Sequence, residues 1–306
     1  MYAIETKGLT KSFGPVKAVD NFDLRVPFGS IFGFLGPNGA GKTTTLKMLM
    51  GFTTPTSGES FILGENLTNA GDYKKNVGYL PDVPAFYNWM RADEYLTFSG
   101  ELLGMERSVL KTKVGELLEV AGLVNVKTRI GGFSRGMKQR LGIVQALIND
   151  PKVVILDEPT SALDPIGRKE VMDMISHFAG RSTVLLSTHI LADVERVCDT
   201  VAIIDKGKLI IEKPIKSLKE EYIQQVISLE ILGDKDDFVQ KIKTFKWVEE
   251  VQIENGGLRI LVTHLETAQH TIPKVVAEMG FGLKTFQVKE TTLEDIFVRL
   301  VKANED

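Results

Sequence analysis

The stretch Ser30-Ile31-Phe32-Gly33-Phe34-Leu35-Gly36-Pro37-Asn38-Gly39-Ala40-Gly41-Lys42-Thr43-Thr44 joins a short apolar run to a glycine-rich loop that ends in a lysine and two threonines. A run this short and this uniformly apolar suits a strand buried on both faces. Gly36 to Thr43 fits the spacing G-x-x-x-x-G-K-[ST], and the residues that follow, up to Gly51, read as a helix. Phosphate oxygens need several converging donors. Glycines let backbone N–H groups turn inward unobstructed, and a helix N-terminus adds a favourable dipole. In that arrangement Lys42 reaches the β- and γ-phosphates of a nucleotide, and the Thr43 hydroxyl ligates Mg²⁺. A chance glycine-rich turn is the competing reading, and the flanking strand and helix weigh against it.

Two more apolar runs, Lys152 to Leu156 and Ser182 to Ser187, have the same character. Short apolar runs alternating with helical patterns up to about Glu212 predict a mostly parallel sheet covered by helices. In such sheets ligands sit beyond the carboxyl ends of the strands, so Gly36 to Thr44, Asp157-Glu158 and Thr188-His189 are predicted to converge on one crevice. Two adjacent carboxylates after an apolar strand are costly unless a cation or a proton transfer uses them. Asp157 then serves Mg²⁺ and Glu158 acts as general base toward a water. Taken alone, such a pair is more often solvated surface or a helix cap, and the upstream phosphate loop reverses that preference. From about 88 to 150 the pattern is helical, with Leu102, Leu103, Val109, Val114, Leu117 and Leu118 among its apolar positions, and reads as a lobe inserted into the sheet domain.

After Pro214 the rhythm changes to strand, helix, strand, strand, helix, strand between Gln225 and Val288, with Asn255-Gly256-Gly257 as a hairpin turn between the central strands. This βαββαβ order matches a ferredoxin-like unit. A last helix, Thr292 to Lys302, sets Leu293, Ile296, Phe297, Leu300 and Val301 on one face. The division is therefore 1–214 for the nucleotide-binding part, with its lobe, and 215–306 for a small α+β accessory domain.

Composition narrows the function classes. With 43% hydrophobic and 25% charged residues the chain can build a proper core. Charge is nearly balanced before Pro214, and the net −3 comes from the part after it, so neither part shows the basic excess of a nucleic-acid surface. Cys198 is the sole cysteine, which excludes an internal disulfide and fits a reducing compartment. The sequence shows neither a signal-peptide pattern nor an apolar run long enough to span a bilayer, so action at a membrane requires a partner that holds the chain there.

Further segments appear in a fixed order. Phe133-Ser134-Arg135-Gly136-Met137 precedes the Asp157-Glu158 strand, Ser161-Ala162-Leu163-Asp164 follows it, and Ser187-Thr188-His189 closes the third strand. Phe13 precedes the first core strands, and Tyr79-Leu80-Pro81-Asp82 lies between the phosphate loop and the helical lobe. Over about residues 2 to 214 the chain resembles the ABC (ATP-binding cassette) ATPase family. The resemblance implies a P-loop NTPase fold of ABC type, α/β, with a mostly parallel sheet, an antiparallel N-terminal part and the inserted lobe. It also implies roles: Phe13 stacks on adenine, and Gly36, Pro37, Asn38, Gly39, Ala40, Gly41, Lys42, Thr43 and Thr44 cradle the phosphates. Ser134 and Gly136 of the signature motif meet the γ-phosphate of a partner's ATP. Asp164 belongs to the D-loop, His189 is the switch histidine, and Asp82 occupies the Q-loop position beside the metal. By themselves Ser134 reads as an ordinary N-cap, His189 as structural and Phe13 as core.

In the family two such domains sandwich two ATP molecules, so a lone monomer is an incomplete enzyme. The implied partners are a second copy or a homologous ATPase subunit, and a separate transmembrane permease subunit. That places the chain in the cytoplasm, peripheral on the inner face of the cell membrane. The chain departs from the family pattern at Asp82, where glutamine is usual, and at Phe133, Arg135 and Met137 in the signature. These changes, with Thr291-Thr292-Leu293-Glu294-Asp295-Ile296-Phe297, look like the bacterial and archaeal exporters related to drug-resistance and lantibiotic-immunity systems. Phe86, Tyr87, Trp89 and Met90 offer a candidate anchor for the permease, with burial inside the lobe as the competing reading. The rival function is a soluble ABC-type ATPase acting on nucleic acid or ribosomes, which the absence of a basic stripe disfavours.

Overall fold

The computed structural model describes residues 2–67, 72–161, 163–222, 225–254, 256–289 and 291–303. Ala162 of the D-loop segment and Asn255 of the hairpin turn lie outside them. The chain divides into two compact units, one reaching to Ile215 and taking in the chain from Leu300, the other Lys216–Arg299.

The first unit opens with β1 (Tyr2–Phe13), β2 (Val16–Phe22), β3 (Arg25–Pro27), β4 (Ile31–Leu35), α1 (Lys42–Leu49), β5 (Ser57–Ile62), β6 (Glu65–Asn66) and β7 (Val77–Leu80). The lobe follows as α2 (Ala92–Leu102), α3 (Arg107–Val120) and α4 (Arg135–Ala146). The chain then returns through β8 (Val153–Asp157), α5 (Pro165–Ser176), β9 (Thr183–Thr188), α6 (Leu191–Val197), β10 (Thr200–Asp205) and β11 (Lys208–Pro214).

Six strands pair in the order β11-β10-β4-β9-β8-β7, parallel throughout except for β11. A second, antiparallel sheet runs β2-β1-β5-β6, with β3 also on β1. The uniform apolarity of the central strands follows from the two layers they serve. Ile155 on β8 and Leu185 on β9 face one core with Phe22, Phe32, Phe34, Leu46 and Leu49, between the two sheets. Their neighbours Val154, Leu156, Val184 and Leu186 face the other core, against Leu141 and Val144 of α4 and Val171 and Ile175 of α5. Each such fully buried side chain contributes about 1.5–3 kcal/mol. Alternation would have left one of the two layers without a core.

The lobe packs differently from its sequence reading. Ala92, Leu96 and Gly100 form the inward stripe of α2, at i, i+4 spacing, and Leu110, Val114 and Leu117 that of α3. A Cβ on Gly100 would lie 2.1 Å from Leu110 Cδ2, so the missing side chain is what lets the two helices close. Leu102, Leu103 and Val109, expected within the apolar pattern, fall off both stripes and are exposed. Leu118 packs against the core from its edge.

The second unit is built from α7 (Ile215–Glu221) after its first residue, β12 (Gln225–Leu232), α8 (Lys235–Ile242), β13 (Val248–Glu254), β14 (Gly257–Val262), α9 (Leu265–Glu278), β15 (Gly282–Lys289) and α10 (Leu293–Ala303) as far as Arg299. Its sheet order β13-β14-β12-β15, antiparallel at every pairing, is the ferredoxin-like arrangement read from the element order. Ile227, Leu229, Ile260 and Val262 face Phe238 and Ile242 of α8 and Ile272 and Val276 of α9 in a core of their own. Edge strand β13 exposes Glu249, Glu250 and Glu254. On α10, Leu293 and Ile296 are fully buried.

Among the described residues, no helix is long and apolar enough to cross a membrane.

Candidate functional site

At the carboxyl end of β4 the chain must turn sharply and keep its backbone open, and the glycines make this feasible. Gly39 and Gly41 adopt φ values of 83° and 108°, a left-handed region that other residues rarely enter. Gly36 leaves no room for a Cβ, which would stand 2.3 Å from the Ile204 carbonyl, and at Gly41 one would stand 2.4 Å from that of Ala18. The loop thus curls tightly against β10 and the β2 strand before α1 begins at Lys42.

Lys42 is 5% exposed. Its Nζ donates to the carbonyls of Gly36 at 2.7 Å and Pro37 at 3.3 Å, and stands 3.3 Å from Glu158 Oε1. The other oxygen of Glu158 lies 2.9 Å from His189 Nδ1. Glu158 follows β8 with φ 48°, an uncommon conformation for a non-glycine residue, held there in part by its N–H donating to the Ser187 carbonyl. Lysine, glutamate and histidine that follow three separate strands therefore form one row, joined by an ion pair and a hydrogen bond, at the strand ends where a parallel sheet places its ligands.

Asp157 lies behind this row, 1% exposed. Its Oδ1 accepts from Ser187 Oγ at 3.0 Å and from Thr43 Oγ1 at 3.4 Å. Burial holds the Asp157 carboxyl above its ordinary range; these two hydrogen bonds oppose the shift, and the charges of Asp82 and Glu158 add to it. Nearby Tyr79 is pushed up to about 12, by burial first and then by Asp157 and Asp82. Thr43 and Asp157 together offer hard oxygen donors, the chemistry that suits a hard divalent cation. The Asp82 carboxylate accepts from the Ser161 hydroxyl at 3.1 Å, which links the Q-loop position to the D-loop.

A cleft of about 380 Å³ runs over these groups and brings together Asn38, Gly39, Gly41, Lys42, Thr43, Thr44, Asp82, Glu158 and His189. Gly36, Pro37 and Ala40 form the turn beneath it. Four expected residues lie away from its lining. Phe13 ends β1 with a half-exposed ring, and Lys11 Nζ sits 5.0 Å from its centroid. Ser134 caps α4, its Oγ accepting from Met137 N at 3.2 Å, with Gly136 as the second residue of the helix. Asp164 caps α5, its Oδ1 accepting from Gly167 N at 3.1 Å ahead of Pro165 at the first helical position.

Ala18, Arg135 and Ser161 also line the cleft. Sequence reading had Arg135 only as a departure from a glycine pattern. A basic residue at the start of a helix near acidic loops was the available signal. Ser187, in the switch segment, is a hydrogen-bond donor to Asp157 that a strand pattern alone does not reveal.

The family model described as ABC transporter matches residues 19–161, and that described as ATP-binding protein DrrA1-3-like, C-terminal domain, matches 214–301. The ABC transporter ATP-binding protein YxlF of Bacillus subtilis (strain 168) is 40% identical over 99% of this chain and 100% of its own length. The bacitracin transport ATP-binding protein BcrA of Bacillus licheniformis is 38% identical over 97% of each. Among solved structures, one described as the ATP binding subunit of an ABC transporter aligns with a TM-score of 0.65 and 28% identity, over 72% of this chain and 93% of that one. By its folded site and by these full-length likenesses, the chain belongs to the family of ABC transporter ATP-binding proteins.

Proposed function

We propose that the chain is the ATP-hydrolysing motor of an ABC exporter, in which two such subunits close around ATP and drive a separate membrane-spanning subunit. The observation that carries this reading is the row Lys42, Glu158 and His189, with 3.3 and 2.9 Å between successive partners, inside a cleft edged by the phosphate loop.

Among the described residues the Lys42 ammonium meets the Gly36 and Pro37 carbonyls and the Glu158 carboxylate. The β- and γ-phosphates of ATP are stronger partners, so their entry takes Lys42 from Glu158 and leaves that carboxylate free to face a water. Glu158 accepts a proton from this water as its oxygen attacks the γ-phosphorus. The bond to the bridging oxygen breaks, and ADP leaves with the electron pair. His189, already bonded to Glu158, fixes the direction of the carboxylate and reaches toward the γ-phosphate. Thr43 and Asp157 are the residues that would hold Mg²⁺, with Asp82 as a further oxygen, and the cation would offset the triphosphate charge. Phe13 supplies the surface on which adenine stacks. Ser134, Gly136 and Asp164 sit off the cleft because they serve the partner's ATP, Ser134 and Gly136 through the N-terminus of α4.

The permease docks at the lobe. Tyr87 and Trp89 are exposed, while Phe86 and Met90 pack into the core. A groove of about 500 Å³ beside them is lined by Phe98, Leu102 and Leu103, so the leucines missing from the core find a use there. Held by that subunit, the chain works at the inner face of the membrane. The relative named for bacitracin transport supports export of a cargo of that kind.

The test is Glu158→Gln. ATP binding is retained, hydrolysis falls by roughly 10²-fold or more, and an ATP-bound dimer accumulates on size-exclusion chromatography. Only monomer in the presence of ATP would contradict the sandwich.

A further inference from the structure

Away from the phosphate loop, three segments of the site meet at one buried carboxylate. Asp193, in the first turn of α6, is 5% exposed. Its Oδ2 accepts from the Thr160 hydroxyl at 2.6 Å, and its Oδ1 from Arg168 Nη2 at 2.9 Å. Thr160, fully buried, lies two residues beyond Glu158. Asp193 lies four residues beyond His189, and Arg168 four beyond Asp164, whose carbonyl accepts from the Arg168 N–H. Nothing in the hydrolytic step described above uses any of the three.

We infer that Asp193 is a positioning residue for hydrolysis: it clasps the segment after Glu158, the D-loop helix and the switch-histidine helix so that they move as one body. This rests on the assignment of Glu158 and His189 to the reaction. Cohesion alone is a weak reason for such a contact. Apolar side chains of equal volume hold elements together at least as well, and the buried Nε of Arg168 has no hydrogen-bond partner among the described residues. What the carboxylate adds is direction. Its two hydrogen bonds break when any one of the elements slides, whereas an apolar contact tolerates the slide. A partner's approach to the D-loop is thereby transmitted through α5 and Arg168 to Asp193, and from there to Thr160 and the Glu158 backbone. The strained φ of Glu158 makes its side chain sensitive to that pull.

The test uses the full chain carrying Asp193→Asn, Thr160→Val or Thr160→Ser, each assayed for steady-state ATPase, ATP affinity and melting temperature. Asp193→Asn keeps an acceptor for Thr160 and loses the charge that holds Arg168. The expected result is that Asp193→Asn and Thr160→Val each lower kcat by roughly ten- to a hundredfold with ATP affinity within about twofold, while Thr160→Ser restores kcat. The double variant Asp193→Asn with Thr160→Val loses little more than either single one, because the two interrupt one path in series, the first at Arg168 and the second at Thr160. An unchanged kcat in Asp193→Asn, or a loss that merely tracks the folded fraction in the melting curves, overturns the clasp. Should Asp193→Asn fail to fold, the near-isosteric Thr160→Val and Thr160→Ser pair carries the same comparison. Glu158→Gln, run in parallel, separates the two levels. If it hydrolyses ATP at the wild-type rate, the catalytic assignment itself falls and the clasp with it. If it is inactive while Asp193→Asn and Thr160→Val are normal, only the clasp falls.

Discussion

At Asp157 two requirements conflict. On the proposed function the carboxyl is to meet a cation, yet it is buried and bonded to Thr43 and Ser187, with Asp82 and Glu158 close enough to repel its charge. A carboxyl whose folded-state pKa exceeds its unfolded value stabilises the fold only while protonated. That contribution is complete below its ordinary value of 3.8 and is lost as the pH rises through the folded value. At neutral pH the ionised group is therefore a cost. Asp157→Asn, which keeps both acceptor bonds, should raise the melting temperature of the nucleotide-free protein by about 2–4 °C while removing Mg²⁺-dependent hydrolysis. Thermal melts of both proteins without nucleotide, alongside ATPase rates, check this. Phosphate-loop residues and the Asp157-Glu158 pair were legible because spacing and type suffice to define them. The contacts of Asp82 with Ser161, and of Asp193 with Thr160 and Arg168, were not, since they join residues far apart in the chain whose types alone are unremarkable.

At the scale of elements, the parallel strands were legible because burial on both faces removes polar residues altogether. Helices of the lobe were less so. Leu102 and Leu103 line a surface groove and Val109 is exposed, and periodicity cannot tell an apolar side chain that faces a core from one on the surface. Close approach of β7 and α4 also leaves only a glycine as its trace. A Cβ on Gly78 would lie 1.9 Å from the Ala146 carbonyl, a backbone atom that cannot step aside without moving the end of α4. Gly78→Ala should accordingly cost about 1–3 kcal/mol, read from urea unfolding of the full chain. Because α4 begins at the signature residues, the same change should also weaken ATP-dependent dimerisation.

For the whole molecule, the cores stay within their units: two clusters within residues 3–204 and a third, of Ile227 to Phe286, in the second unit. Each unit thus has its own hydrophobic stabilisation. A chain ended after Ile215 should still fold and bind ATP, yet fail to support transport in cells when it replaces the full chain. Normal transport by that truncated chain would remove any role for the second unit. The βαββαβ order was legible because a change of rhythm after Pro214 marks it, while what the unit recognises has no comparable motif. Its outer strand β13 has one more consequence. An unpaired strand edge invites a stranger's backbone, and the carboxylates of Glu249, Glu250 and Glu254 surround this one with like charge that repels a second copy of itself. Colloidal stability of the protein is therefore tied to three side chains remote from all of its chemistry, and replacing Glu249, Glu250 and Glu254 by neutral residues exposes a template for aggregation.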